Sequence, residues 1–274
     1  NRYEERTLEL FEEGDYLMEL EGEKIGEIVG LAVISTGEYS FGKPSKISAT
    51  TYRGKSGLIN IEREARISGN IHDKGVMIIN GYLGYKYAQD KPLALSASIV
   101  FEQSYSGVDG DSASSTELYA ILSSLSEVPI KQYIAVTGSV NQKGEIQPIG
   151  GVNEKIEGFF KVCKIKGLNG KHGVIIPRQN VKNLMLNDEV IEAVKEGKFT
   201  IYAVKNVDEG IEILSGIPAG TIGYNDKYPK GSIHALVDEK LKKYANDAPK
   251  ITRKKKQTNK SSCLINQEDL TENQ

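Results

Sequence analysis

The chain has 274 residues, enough for one large domain or two modest ones with a real core. Its 39% hydrophobic and 26% charged residues give a soluble, globular balance, and 35 Lys and Arg against 37 Asp and Glu leave a net charge of −2. That sum argues against a phosphate-neutralising surface as the main business of the chain, and no apolar run reaches the ~18 residues of a membrane span. Cys163 and Cys263 are too far apart for a CxxC metal site, which suits a reducing, cytoplasmic setting. His72, His172 and His234 are the only histidines, so a Ser-His-Asp triad must choose among them. The chain starts at Asn1 rather than methionine and opens on the acidic NRYEER, no signal peptide; we expect a piece of something longer.

In chain order, residues 2–13 are expected to form a helix with Leu8, Phe11 and Tyr3 inward, stopped at Gly14. A strand is expected at 16–20, and β-rich runs at 28–34, 47–53 and 57–61, separated by Gly, Pro and Ser. A glycine-containing helix covers 71–87, and 93–102 alternates as a half-buried strand does. In 112–126, Leu118, Ile121, Leu122 and Leu125 recur at i, i+3, i+4 and i+7, the stripe of an amphipathic helix. Pro129 ends it, 133–137 reads as a buried strand, and a hairpin through Lys143-Gly144 leads to Gly150-Gly151, which open a helix to about Cys163. A strand at 174–176, a short helix after Pro177, a helix at 189–195, a strand at 199–204 and a helix at 207–214 follow. Strands and helices mix without strict alternation, so the fold class is α/β of mixed α+β type. From about residue 246 the chain turns polar, and 246–274 is expected to be a disordered tail.

Two runs approach a phosphate-binding loop. Gly37…Gly42-Lys43 has Pro44 where Ser or Thr should hold magnesium, and Gly54-Lys55-Ser56 lacks the first glycine. Neither leads into a helix, so both read as turns. The basic run 253–256 lacks interleaved aromatics and reads as solvated tail, not a nucleic-acid site.

Asp109-Gly110-Asp111-Ser112-Ala113-Ser114 stands just before the amphipathic helix. Asp111 or Ser112 fits an N-cap, and Ser114 with Glu117 fits a capping box. A serine beside free helix N-terminal amides also fits a nucleophile next to an oxyanion site. Such a serine needs a base. None of the histidines has a distinctive setting, and GDSAS departs from the GDSGG and GDSL patterns. Lysine is the other candidate. In the helix after Gly151, Val152, Ile156, Phe159 and Cys163 form an apolar stripe, and Lys155 lies ~60° from Val152 beside it. A snorkelling lysine and a desolvated base both fit that place.

These residues resemble the proteolytic domain of Lon proteases, in its Lon B-like branch. Val29-Gly30-Leu31-Ala32-Val33 resembles the opening strand, with Val29 where asparagine is usual. Residues 107–114 resemble the nucleophile motif, Thr137-Gly138-Ser139 the TGS/TGE motif, and 148–155 the PIGG…K motif. The resemblance covers about residues 25–216. It implies a ribosomal-S5-like fold, Ser112 as nucleophile, Lys155 as general base and Thr137 as an aid to the lysine, with Asp109 and Asp111 in the nucleophile loop. It also implies ATP-dependent degradation of unfolded protein by a homo-oligomer, a hexameric ring. An AAA+ ATPase upstream would hold ATP and magnesium, and no cofactor is expected in this chain itself. The expected organisation is a connector at 1–24, the serine protease domain at 25–217, a C-terminal extension at 218–245 and the tail. The rival readings are a proteolytically silent ring-forming or binding module of the same fold, and a Ser-His esterase.

Overall fold

Central strands that are apolar on both faces need a layer on each side. In the computed structural model, which describes residues 2–105 and 107–246, they have it. The strands are β1 (Glu23–Lys24), β2 (Glu27–Ser35), β3 (Ser40–Arg53), β4 (Gly57–Asn60), β5 (Leu95–Phe101), β6 (Ile130–Lys131), β7 (Ile134–Val136), β8 (Ser139–Val140), β9 (Ile146–Gln147), β10 (Gly173–Pro177) and β11 (Thr200–Val204). The helices are α1 (Arg2–Glu13), α2 (Ile61–Glu64), α3 (Asn70–Tyr87), α4 (Ser114–Ser126), α5 (Val152–Lys166), α6 (Asp188–Lys195), α7 (Val207–Ser215) and α8 (Ile233–Asn246). Seven strands form one mixed sheet in the order β11-β10-β7-β2-β3-β5-β4, parallel from β11 to β2 and antiparallel at β2–β3 and β3–β5.

Alternation along the strands divides the interior. Ile28, Ile134, Val136 and Ile175 point into a core with Leu118, Ile121 and Leu122 of α4, Ile211 of α7 and Val237 of α8. Their neighbours Val29, Ala135, Val174 and Ile176 point the other way, onto Ile156, Phe159 and Cys163 of α5 and Phe11 of α1. α4 and α5 therefore lie on opposite faces of the sheet.

Several expectations change. Residues 16–20 form no strand; Met18 and Leu20 are buried, but the backbone bonds a turn and a side chain instead of a strand, Met18 N–H to the Tyr16 carbonyl and Leu17 N–H to Gln103 Oε1. Tyr3 is 56% exposed, resting on the Phe41 ring, and α1 is pinned by Glu4, which accepts from Lys161 at 2.5 Å and Tyr39 at 2.6 Å. The segment expected as a connector thus shares a core with α5. The run at 47–53 is the second half of β3, which begins at Ser40 and accommodates Pro44 opposite Leu31. In the expected extension, Ile233, Val237 and Leu241 bury one face of α8 in the α4 core, a stripe the sequence reading passed over. The expected tail, with its basic run, lies outside the described residues apart from Asn246. No described helix is long and apolar enough to cross a membrane.

Gly42 lies inside β3, opposite Val33, and not in a turn. A Cβ there would lie 1.9 Å from the Glu154 carbonyl oxygen, and one on Gly158 would lie 2.0 Å from the Gly42 oxygen. Bare backbone on both sides lets α5 settle onto β3. Gly158→Ala is expected to push α5 off the sheet and cost about 3 kcal/mol. An unchanged midpoint in urea would contradict this account of the packing.

Candidate active site

Two segments on opposite faces of the sheet converge on one cleft. β7 is three residues long and pairs with β2 only at Val29 and Gly30, so residues 31–35 of β2 have no strand partner on that side among the described residues. The cleft there, about 360 Å³, is lined by Leu31–Ile34, Val108, Asp109, Gly110, Ser112, Ala113, Gly150, Gly151 and Lys155.

From one side comes the loop before α4. α4 begins at Ser114, two residues later than the sequence suggests, with Ala113 as N-cap and no side-chain cap. The capping-box reading is corrected here. Ser114 Oγ accepts from the Val140 amide at 3.0 Å, and Glu117 is buried against His72. What anchors the loop is the Thr137–Ser139 segment. The Gly138 amide donates to the Ser112 carbonyl at 2.8 Å, Thr137 Oγ1 donates to the same oxygen at 3.3 Å, and Ser115 Oγ donates to the Gly138 carbonyl at 2.7 Å. Thr137 thereby holds the backbone of Ser112. Ser114 and Ser115 spend their amides on the Asp111 and Gly138 carbonyls. The Ser112 and Ala113 amides have no backbone partner among the described residues, which leaves them free for a ligand oxygen.

From the other side comes α5. Gly151 precedes it in a left-handed conformation, φ 66°, and the Asn180 side chain clamps Ile149 just before, accepting from its amide and donating to its carbonyl. Nothing in the sequence marks Asn180 for that task. Lys155 lies one turn into α5, only 3% exposed, and its Nζ donates to Ser112 Oγ at 3.0 Å. Burial opposes the ammonium form and brings its pKa down to about 8, although Asp111 and Glu154 pull upward. Asp111 is held by Ser139 Oγ at 2.9 Å, and Asp109 packs against Gly69, where a Cβ would come within 2.2 Å of the Asp109 Cγ. The structure therefore brings all five expected residues to one loop-and-cleft region.

Among the described residues no histidine bonds Ser112 or Lys155. His234 bonds Tyr87 and Asp208, His172 lies in its turn beside the Asn169 amide, and His72 faces Glu117.

Residues 11–215 match the C-terminal proteolytic domain of Lon protease (S16). The chain belongs to the Lon protease family. It is 50% identical to a Lon protease homolog of Escherichia coli (strain K12) over 200 residues, which cover 72% of this chain and 34% of that relative. A Lon protease homolog of Haemophilus influenzae is 45% identical over 73% of this chain and 33% of its own length. The archaeal Lon protease of Pyrococcus abyssi is 31% identical over 70% of this chain and 18% of its own length. The chain thus spans about a third of the length of the first two relatives. The mixed α/β fold is that of a Lon-type peptidase domain.

Proposed function

We propose that this Lon domain is a serine endopeptidase in which Ser112 is the nucleophile and Lys155 the general base. The observation that carries the reading is the 3.0 Å bond between Ser112 Oγ and a lysine buried to 3% exposure at the cleft. A hydroxyl is a poor nucleophile until a base takes its proton, and an amine can do so only when neutral. Burial makes the neutral form available near pH 8. Ser112 Oγ attacks the scissile carbonyl as Lys155 accepts the proton, and the tetrahedral oxyanion forms against the Ser112 and Ala113 amides. Lys155 then gives the proton to the leaving amine, and the acyl-enzyme is cleared by water with Lys155 again as base.

The bare edge of β2 supports an extended substrate. A peptide laid along Leu31–Ile34 satisfies its backbone there and passes Ser112, which a folded chain cannot do. Unfolded protein as substrate, ATP-driven feeding by an AAA+ partner module, a hexameric ring and a cytoplasmic setting belong to the same proposal, on the strength of the family.

A fluorophosphonate, which captures an activated serine without needing substrate, tests the dyad. It should label Ser112 alone, and the labelling rate should climb with pH as Lys155 loses its proton, with a midpoint of about 8. A flat rate from pH 6 to 9, or label on another serine, would contradict the assignment.

A further inference from the structure

Beneath the loop that carries Ser112 lies a buried polar cluster that the dyad chemistry does not use. Glu117, on the first turn of α4, and His72, on the first turn of α3, are each 1% exposed, with His72 Nε2 3.5 Å from Glu117 Oε1. Neither oxygen of Glu117 nor Nε2 of His72 has a hydrogen-bond partner among the described residues. Glu62 closes the cluster from α2. Its Oε1 accepts the Phe101 amide at 2.7 Å and its Oε2 is unpartnered among the described residues. The Phe101 ring stands edge-on to His72 at 5.5 Å. The Gly110 backbone, two residues before Ser112, is close enough to the His72 ring to act on it as a hydrogen-bond acceptor.

Charge decides how these groups share protons. An ionised carboxylate with no partner in so dry a place is costly, and two carboxyls side by side are worse. Burial and the nearby Glu62 hold the Glu117 carboxyl well above the usual carboxylate range, which favours its protonated form. Burial also lowers His72, against the upward pull of Asp73, Gly110 and Asp109, and the ring is neutral. A neutral imidazole has one N–H to give and one nitrogen to accept with, and a protonated carboxyl has one O–H to give. One assignment uses all of them. Nδ1–H donates to the Gly110 carbonyl, and Nε2 accepts from the Glu117 hydroxyl.

We propose that Glu117 holds its proton on His72 Nε2, which locks the ring as the Nδ1–H tautomer and ties Gly110, and so the Ser112 loop, to α3 and α4. The packing fits a loop that must sit close to α3. A Cβ on Gly75 would be 3.5 Å from the Cβ atoms of both Asp111 and Ser114. His72 and Glu117 are positioning residues, since neither bonds Ser112 or Lys155. The inference rests on reading Ser112 and Lys155 as the dyad, because it assigns a purpose to the exact setting of that loop.

Two measurements on the intact chain test it, the rate of fluorophosphonate labelling at Ser112 and the histidine tautomer by nitrogen-15 NMR. Glu117→Gln keeps a donor toward Nε2 and should label within about twofold of wild type. Glu117→Met removes the donor at similar volume and should label about tenfold more slowly at every pH. The midpoint near 8 should stay in place, because Lys155 is untouched. His72 should appear as the neutral Nδ1–H tautomer in wild type and in Glu117→Gln. If Glu117→Gln labels as slowly as Glu117→Met, or if the wild-type ring carries its proton on Nε2, the proposal is overturned. Should Glu117→Met fail to fold, the Glu117→Gln variant and the wild-type tautomer still decide it. Absence of any label on wild-type Ser112 would instead sink the dyad, while the tautomer spectrum would still judge the His72–Glu117 pair.

Discussion

Lys155→Arg is expected to abolish peptide hydrolysis while leaving the domain folded. Arginine keeps the positive charge but cannot surrender its proton near neutral pH, so it can no longer accept one from Ser112. Ser112→Ala should be equally inactive, for the complementary reason that no nucleophile is left. Loss of a nucleophile or its base costs about 10⁴-fold or more in turnover when the two act as a unit, and the double variant should be no worse than either single one. Stability should barely register the serine change, since Ser112 caps nothing and gives up one bond to Lys155, worth about 1 kcal/mol. Turnover of a fluorogenic peptide is the measurement. A Ser112→Ala enzyme retaining a tenth of wild-type turnover, or an active Lys155→Arg, would remove that residue from its role.

The same buried amine has a large and opposite effect on stability. A lysine whose pKa falls from 10.5 in the unfolded chain to about 8 in the folded one makes the native state bind fewer protons between those values. Unfolding then takes up a proton in that window, and stability rises with pH across it. Below pH 8 the folded protein carries a buried ammonium, at a cost of about 3 kcal/mol relative to the neutral amine. Lys155→Met fills similar space without that charge. At pH 6 the inactive variant should therefore be more stable than wild type, by about 1–3 kcal/mol once the bond to Ser112 is lost. Its advantage should fade as pH climbs from 8 to 10.5. Urea unfolding of the two proteins at pH 6 and pH 10 reads the difference directly, and an advantage independent of pH would contradict the depressed pKa. Under the proposed mechanism catalytic competence and stability conflict at this residue, as they do where a protein keeps an amine neutral by burying it.

Most of the secondary structure and the candidate dyad were legible in the chain. Helical spacing in α4 and α5, glycine and proline punctuation and the ordered motifs around Ser112, Thr137 and Lys155 are local or nearly local signals, and they survive folding because each element buries the face its own periodicity marks. Boundaries failed where context overrides propensity. β3 runs through Pro44 and Gly42 because its register with β2 and the close approach of α5 matter more than the intrinsic dislike of those residues for strands. Residues 16–20 read as a strand but found no partner, and α8 went unread although Ile233, Val237 and Leu241 are spaced as helix. The capping box failed differently. Ser114 and Glu117 have the right spacing, but tertiary partners, the Val140 amide and His72, claimed them.

What the sequence determined by itself was the set of reactive groups and the elements that carry them. Only the tertiary structure decided that Ser112 and Lys155, 43 residues apart and on opposite faces of the sheet, would meet at 3.0 Å. It also decided that Asn180 would clamp the entry to α5, and that Glu117 and His72 would face each other, both buried, beneath the loop. The reason is that spacing along a chain dictates which side of its own element a residue occupies. Distance, burial and the resulting protonation depend on what other elements bring to the same place, here a three-residue β7 that opens the sheet and two facing glycines that let α5 lie down on β3.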